Sequence, residues 1–294
     1  MTVVDRINPD ILAAIIAMSI GVVGTSIIHL SKGVMRLGLL RLRDPREAKR
    51  RSRAIYTFGV LMNFTNPLWV ILANRFAPTV FYTSMYGLGL LPLLLFTRSR
   101  LKEHLHAKQY LGIFTIVVGT LLVGIGNLRG GRPSLFGANT PLLVSVALGW
   151  LILAPVGSLL IRGRSIRLQE FFFGLFAGGL AALEALVKGV AQAGPVENSF
   201  LPQSPGGWWL FGASFLGAAG AFGMIQWSYL RHCRASVMGS IYDVAYVAIP
   251  LILTAAIVDG AGLGAWKLAG IAVLGLGVLI IRGAPAAKIA YSQM

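Results

Sequence analysis

A few side chains in this sequence have the chemistry to hold or move a charged or polar cargo, and all are set in apolar stretches. Asp243 is the sharpest candidate. It stands in Ser240-Ile241-Tyr242-Asp243-Val244-Ala245-Tyr246, where a carboxylate can bind a cation or take up a proton. Tyr242 and Tyr246, one helical turn apart, can meet an organic cation with ring faces or hydroxyls. The competing expectation is an Asp that pairs with a basic side chain for packing. Glu184 and Lys188 are four residues apart, the spacing of an ion pair on one helix face. If that pair opens, Glu184 becomes a proton or ion acceptor. Asn63 and Asn66, three apart, predict two amides on one face, lining a cavity or bonding helix to helix. Gln226 is a weaker candidate of the same kind.

His29 and Lys32 are expected to be gate-side or structural, with the lysine able to snorkel to an interface. Pro92 and Pro250 are predicted hinge points, because a proline within a helix removes one hydrogen bond; Pro67 and Pro155 are further kink candidates. His104 and His106 lie in a basic loop without Cys or an acidic cluster, so a metal site there is not expected. No Ser, His and acid arrangement and no Walker motif occurs, so neither an enzyme nor direct ATP hydrolysis is expected. No cofactor is called for beyond coupling to H+ or another cation. Cys233 is the single cysteine, which rules out an internal disulfide.

The elements that must position these residues follow from composition. Of the 294 residues, 56% are hydrophobic and 12% charged, and the mean hydropathy is +0.74, far from the roughly 25% charge of soluble domains. A helix needs about 20 mainly apolar residues to cross a bilayer. Nine stretches qualify, near 11–33, 54–74, 77–97, 108–127, 139–161, 168–193, 207–229, 235–257 and 263–282. The expected fold is therefore an all-α polytopic transmembrane bundle. The connections carry turn formers such as Asp44-Pro45, Gly194-Pro195 and Pro202 to Gly207, and none is long enough for a second domain.

Basic residues resist translocation, so their distribution gives an orientation. The loops after spans one, three, five and seven and the C-terminal tail hold 20 of the 26 Lys and Arg, counting Lys32. This predicts an N-terminus outside and a C-terminus in the cytoplasm, in an inner or plasma membrane. The net charge of +16 is then topological, and its expected partner is anionic lipid headgroups rather than nucleic acid. A homodimer is the oligomer left open.

Sliding the sequence over itself by 158 positions aligns Gly59 with Gly217, Phe64 with Phe222, Trp69 with Trp227, Pro92 with Pro250, Gly112 with Gly270 and Gly119 with Gly277. A shift of 156 brings Lys32-Gly33 onto Lys188-Gly189. Repeat one then covers 11–127, a linking span 139–161, and repeat two 168–283. Because one linking span separates the repeats, equivalent spans are five apart and cross in opposite directions, which predicts an inverted-topology repeat, an architecture associated with alternating access around a midplane site.

Gly24-Thr25-Ser26 followed by Lys32-Gly33-Val34-Met35-Arg36, with Phe76-Ala77-Pro78 after span two, resembles the drug/metabolite transporter superfamily (EamA-like). The likeness is closest to its branch of NIPA-type magnesium transporters. It implies a secondary transporter with a small polar metabolite or a cation, Mg2+ among them, as cargo. The branch's Gly-Glu pair in the second helix falls on Asn66-Pro67, so its acidic residue is absent. Three readings stay open: a secondary transporter, a lipid-linked substrate flippase, and a non-transporting subunit of a larger complex.

Overall fold

The computed structural model describes residues 9–102, 105–130, 133–196 and 199–283. His104 and Arg132 lie outside the described residues. Among those described, the chain is helix and turn, with nine helices long and apolar enough to cross a membrane. They run Asp10–Arg43, Lys49–Asn74, Thr79–Leu101, Ala107–Arg129, Thr140–Leu160, Ile166–Gln192, Pro205–Leu230, Ala235–Ile257 and Ala265–Arg282, called spans one to nine below. This is an integral membrane protein.

Three expected boundaries are corrected. Span one continues ten residues beyond its apolar stretch to Arg43, because the Arg and Leu residues there are good helix formers. Span two breaks at Phe64-Thr65, and Pro67 opens its second piece, Asn66–Asn74. A proline early in a helix costs little, since the N–H it lacks would be unpaired there. Span three, expected as one helix, is a short α-helix Thr79–Thr83, a 3-10 turn Tyr86–Gly89, an α-helix Leu90–Phe96 and a π-helical turn Thr97–Leu101.

Span six is the centre of the bundle, buried along almost all of its length, whereas span five is largely exposed. The reason is in the residues. Span six carries Gly174, Gly178 and Gly189, and Met238, Tyr242 and Thr79 press against those three positions. Span five instead presents Leu148, Ile152, Leu159 and Leu160 outward, an apolar surface suited to lipid or to another apolar helix.

Two close approaches join spans four and nine. Gly112 lies against the Gly277 carbonyl, and Gly119 against the Gly270 carbonyl, so the helices run antiparallel. Spans one and three run parallel, with Gly21 on Met85 and Gly89 on Thr25. Spans six and eight do the same, with Gly174 on Met238 and Gly178 on Tyr242, each pair at the same offset of 64 residues.

Candidate functional site

Span eight brings Asp243 to the interior, where it is fully buried. Its partner is His29 of span one, also fully buried, whose Nε2 lies 2.7 Å from Oδ1 and 2.8 Å from Oδ2. The other ring nitrogen, Nδ1, is 2.7 Å from the Thr25 carbonyl. A carbonyl only accepts, so Nδ1 carries a hydrogen and donates it there. Nε2 and the carboxyl must then share a proton, as imidazolium with carboxylate or as imidazole with carboxylic acid. Without that proton, a lone pair would face a carboxylate in a dry interior.

The contact depends on Gly89. A side chain there would run into His29 Nδ1 and sit 2.7 Å from the Thr25 carbonyl, so the bare 3-10 turn of span three makes room for the ring.

Aromatic rings enclose the pair. Tyr86 stacks on Tyr246 with centroids 3.8 Å apart, Tyr242 stacks on Tyr246 at 5.8 Å, and His29 lies 4.9 Å from Tyr86. The Tyr246 hydroxyl lies toward Asn66 and the Tyr86 hydroxyl toward Tyr242, yet neither closes a hydrogen bond of normal geometry. Lys32, 1% exposed, holds its ammonium 3.5 Å from the Tyr242 ring centroid and 5.3 Å from that of Tyr86. Its Nζ has no hydrogen-bond acceptor among the described residues. Asp243 attracts this ammonium without bonding to it, and the ring faces add a weaker attraction.

Glu184 and Lys188 form their ion pair within span six, both fully buried. Glu184 Oε2 accepts no hydrogen bond among the described residues, and the Lys188 ammonium sits 4.4 Å from the Phe215 ring centroid. One turn beyond Lys188, Gln192 accepts from Asn74 Nδ2 at 2.8 Å, and Asn74 Oδ1 accepts from the Thr79 hydroxyl at 3.0 Å. These three side chains line a cavity of about 580 Å³ between the ends of spans one to four and six. A second cavity, about 510 Å³, includes Thr254, Asp259 and Lys267 and shares Pro133, Ser134 and Phe136 with the first.

The opposite end is closed by polar contacts. Arg36 donates to the Tyr229 carbonyl at 3.2 Å, and the Tyr229 hydroxyl donates to the Lys32 carbonyl at 3.2 Å. Tyr56 donates to Gln226 at 2.9 Å. Arg234 forks onto Glu170 through Nε and a terminal nitrogen at 2.9 and 2.8 Å. Cys233 is buried beside that fork, and burial pushes its thiol up to about 12.

Several of the residues singled out from sequence therefore meet: Asp243, Tyr242, Tyr246 and Lys32 share one chamber. Asn63 and Asn66 fall on either side of the break in span two and take different partners. Asn63 accepts from Ser31 at 3.4 Å and Asn66 from Tyr82 at 3.2 Å. Pro250 lies inside span eight and Pro92 near the start of the second α-helical piece of span three. Neither can donate to the carbonyl four residues before it, Tyr246 or Leu88. Sequence reasoning missed Thr25, Tyr82, Tyr86, Gly89, Asn74, Thr79 and Gln192, and underrated His29. No family model, no curated protein and no solved structure matches the chain.

Proposed function

We propose that this protein is a proton-coupled secondary transporter of the drug/metabolite type, with His29 and Asp243 as its proton site and a small polar solute as cargo. The observation that carries this is the buried contact between those two residues, which binds one proton between spans one and eight. The reciprocal glycine contacts of spans four and nine support an inverted repeat. The repeat shift takes Gly112 to Gly270 and Gly119 to Gly277, so the contact of Gly112 with Gly277 maps onto that of Gly270 with Gly119. The matched packing of spans one and three and of spans six and eight points the same way.

Read with the basic-loop rule, the two cavities open to the outside and the Arg36, Tyr229 and Arg234 contacts close the cytoplasmic end. This is an outward-facing arrangement. Solute entering the larger cavity meets Asn74, Thr79 and Gln192 first, with the Glu184–Lys188 pair directly beneath. A proton suits the deeper site better than a metal ion, because Asp243 presents both oxygens to His29 and Glu184 is bound to Lys188. With no acidic residue at Asn66-Pro67, Mg2+ is the less favoured cargo.

The test begins with thermal shift of the purified protein against Mg2+, amines, amino acids and nucleosides, since a bound compound raises stability. Uptake of the stabilising compound into proteoliposomes is then measured with and without a pH gradient. Asp243→Asn keeps shape and can still bond to His29 but carries no exchangeable acid. It is expected to fold normally and to lose gradient-driven uptake. Wild-type uptake with unchanged pH dependence in that variant would remove the pair from the mechanism.

One observation favours a second reading, a non-transporting subunit: the three buried carboxylates among the described residues, Asp243, Glu184 and Glu170, all have basic partners. Failure of every compound to bind, together with a copurifying membrane partner, would support it.

A further inference from the structure

On the membrane-facing side of spans one, two and three, at the end remote from the two cavities, lies a groove of about 430 Å³. Its walls are apolar: Val34 and Leu37 from span one, Ile55 and Phe58 from span two, and Phe96 from span three. Its rim is basic, with Arg41, Arg51 and Arg100 contributed by the same three helices. The groove exists because two glycines let the helices close behind it. Phe96 rests on Gly33, and the Tyr56 backbone on Gly38, 2.7 Å from where a side chain would begin in each case. Among the described residues the acidic group paired with this rim is Glu47, with Oε1 3.9 Å from Arg41 Nε, too long for a hydrogen bond. Arg51 and Arg100 are exposed. Phe58 is 60% exposed on a helix surface that otherwise meets lipid.

We propose that this groove binds an anionic glycerophospholipid, its phosphate held by Arg41, Arg51 and Arg100 and an acyl chain laid along Leu37, Ile55, Phe58 and Phe96. The two halves of the site ask for the two halves of such a molecule. Guanidinium groups match phosphate oxygens with paired N–H donors. A soluble anion would use the rim but have no use for the walls, and a neutral lipid the reverse. The site is independent of any transported solute. Its predicted effect is to pin the ends of spans one to three, where the chain also forms a π-helical turn ending in Lys102 with φ of 51°.

The test is lipid titration of the purified full-length protein in detergent, read by thermal unfolding and by bound lipid in native mass spectrometry. Dioleoylphosphatidylglycerol is expected to raise the unfolding temperature by several degrees, while dioleoylphosphatidylcholine leaves it unchanged. The triple variant R41Q/R51Q/R100Q should bind about a hundredfold more weakly, at roughly tenfold or less per charge. A control with the same loss of charge outside the groove, R50Q/R53Q/R98Q, should keep wild-type affinity. Equal loss in the control would show diffuse surface attraction and overturn the site. So would an equal effect from inorganic phosphate, which would assign the rim to a soluble anion. Should the triple variant fail to fold, R51Q alone, at an exposed position, is expected to weaken binding about fivefold, and an unchanged affinity would refute the proposal.

Discussion

An imidazole whose Nδ1 hydrogen is committed to a carbonyl can face a carboxyl group only through a shared proton, and His29 is in that position because Gly89 has no side chain. Gly89→Ala therefore tests the geometry without touching a titratable group. The added methyl collides with the ring and the Thr25 carbonyl, where overpacking costs about 1–3 kcal/mol. The variant should unfold several degrees lower and lose pH-driven uptake. Retention of both would mean that the ring is free to move and that its contact with Asp243 is incidental. Asp243 was legible in the sequence because an acid in an apolar run is conspicuous. His29 was not, since its partner is 214 residues away and nothing in local spacing announces the meeting. The same holds for Tyr86 and Gly89, whose roles depend on a turn that interrupts span three. The Glu184–Lys188 pair was legible because its partners are four residues apart on one helix, where spacing alone decides the contact.

At the scale of elements, the nine spans were readable because the bilayer imposes one rule everywhere: about 20 apolar residues per crossing. Pro67 and Pro92 flagged kinks in spans two and three, but the breaks that precede them in the chain were not readable. They occur where a side chain supplies what the helix gives up, as where the Thr65 hydroxyl donates to the Met62 carbonyl at 2.7 Å at the break in span two. Helix contacts by glycine were visible as aligned letters, but only the fold shows that Gly119 meets Gly270. There the carbonyls approach to within 3.0 Å of the position each added methyl would take. Gly119→Val and Gly270→Val should each force spans four and nine apart and lower stability by about 1–3 kcal/mol. Because they disturb one contact, the double variant should cost less than the two singles together. Full additivity in thermal unfolding would show that the pair does not act as a unit.

For the molecule as a whole, the decisive question is whether its two ends open in alternation. Cys233 offers a native reporter. It is buried at the end that the Arg234–Glu170 fork and the Arg36 contact hold shut. With its thiol near 12 against an ordinary value close to 9, it is almost wholly protonated at neutral pH, and the thiolate is the species that attacks maleimide. In the proposed outward-facing arrangement, labelling at pH 7.5 should be very slow. Opening that end would bring water to the thiol and return it toward its ordinary value, a gain of about a thousandfold in thiolate if the full difference is recovered. Glu170→Gln weakens the fork without adding bulk, and should speed labelling of the folded protein while sparing the outer cavities. In the wild type, a stabilising solute together with an inward pH gradient should have the same effect, because carriers cycle between the two arrangements. A rate that no solute, gradient or fork variant alters, in protein that still binds the solute, would mean that this end stays shut. A rigid, closed bundle holding paired carboxylates is a scaffold, and transport would then have to be abandoned even though every contact around His29 and Asp243 stands as described.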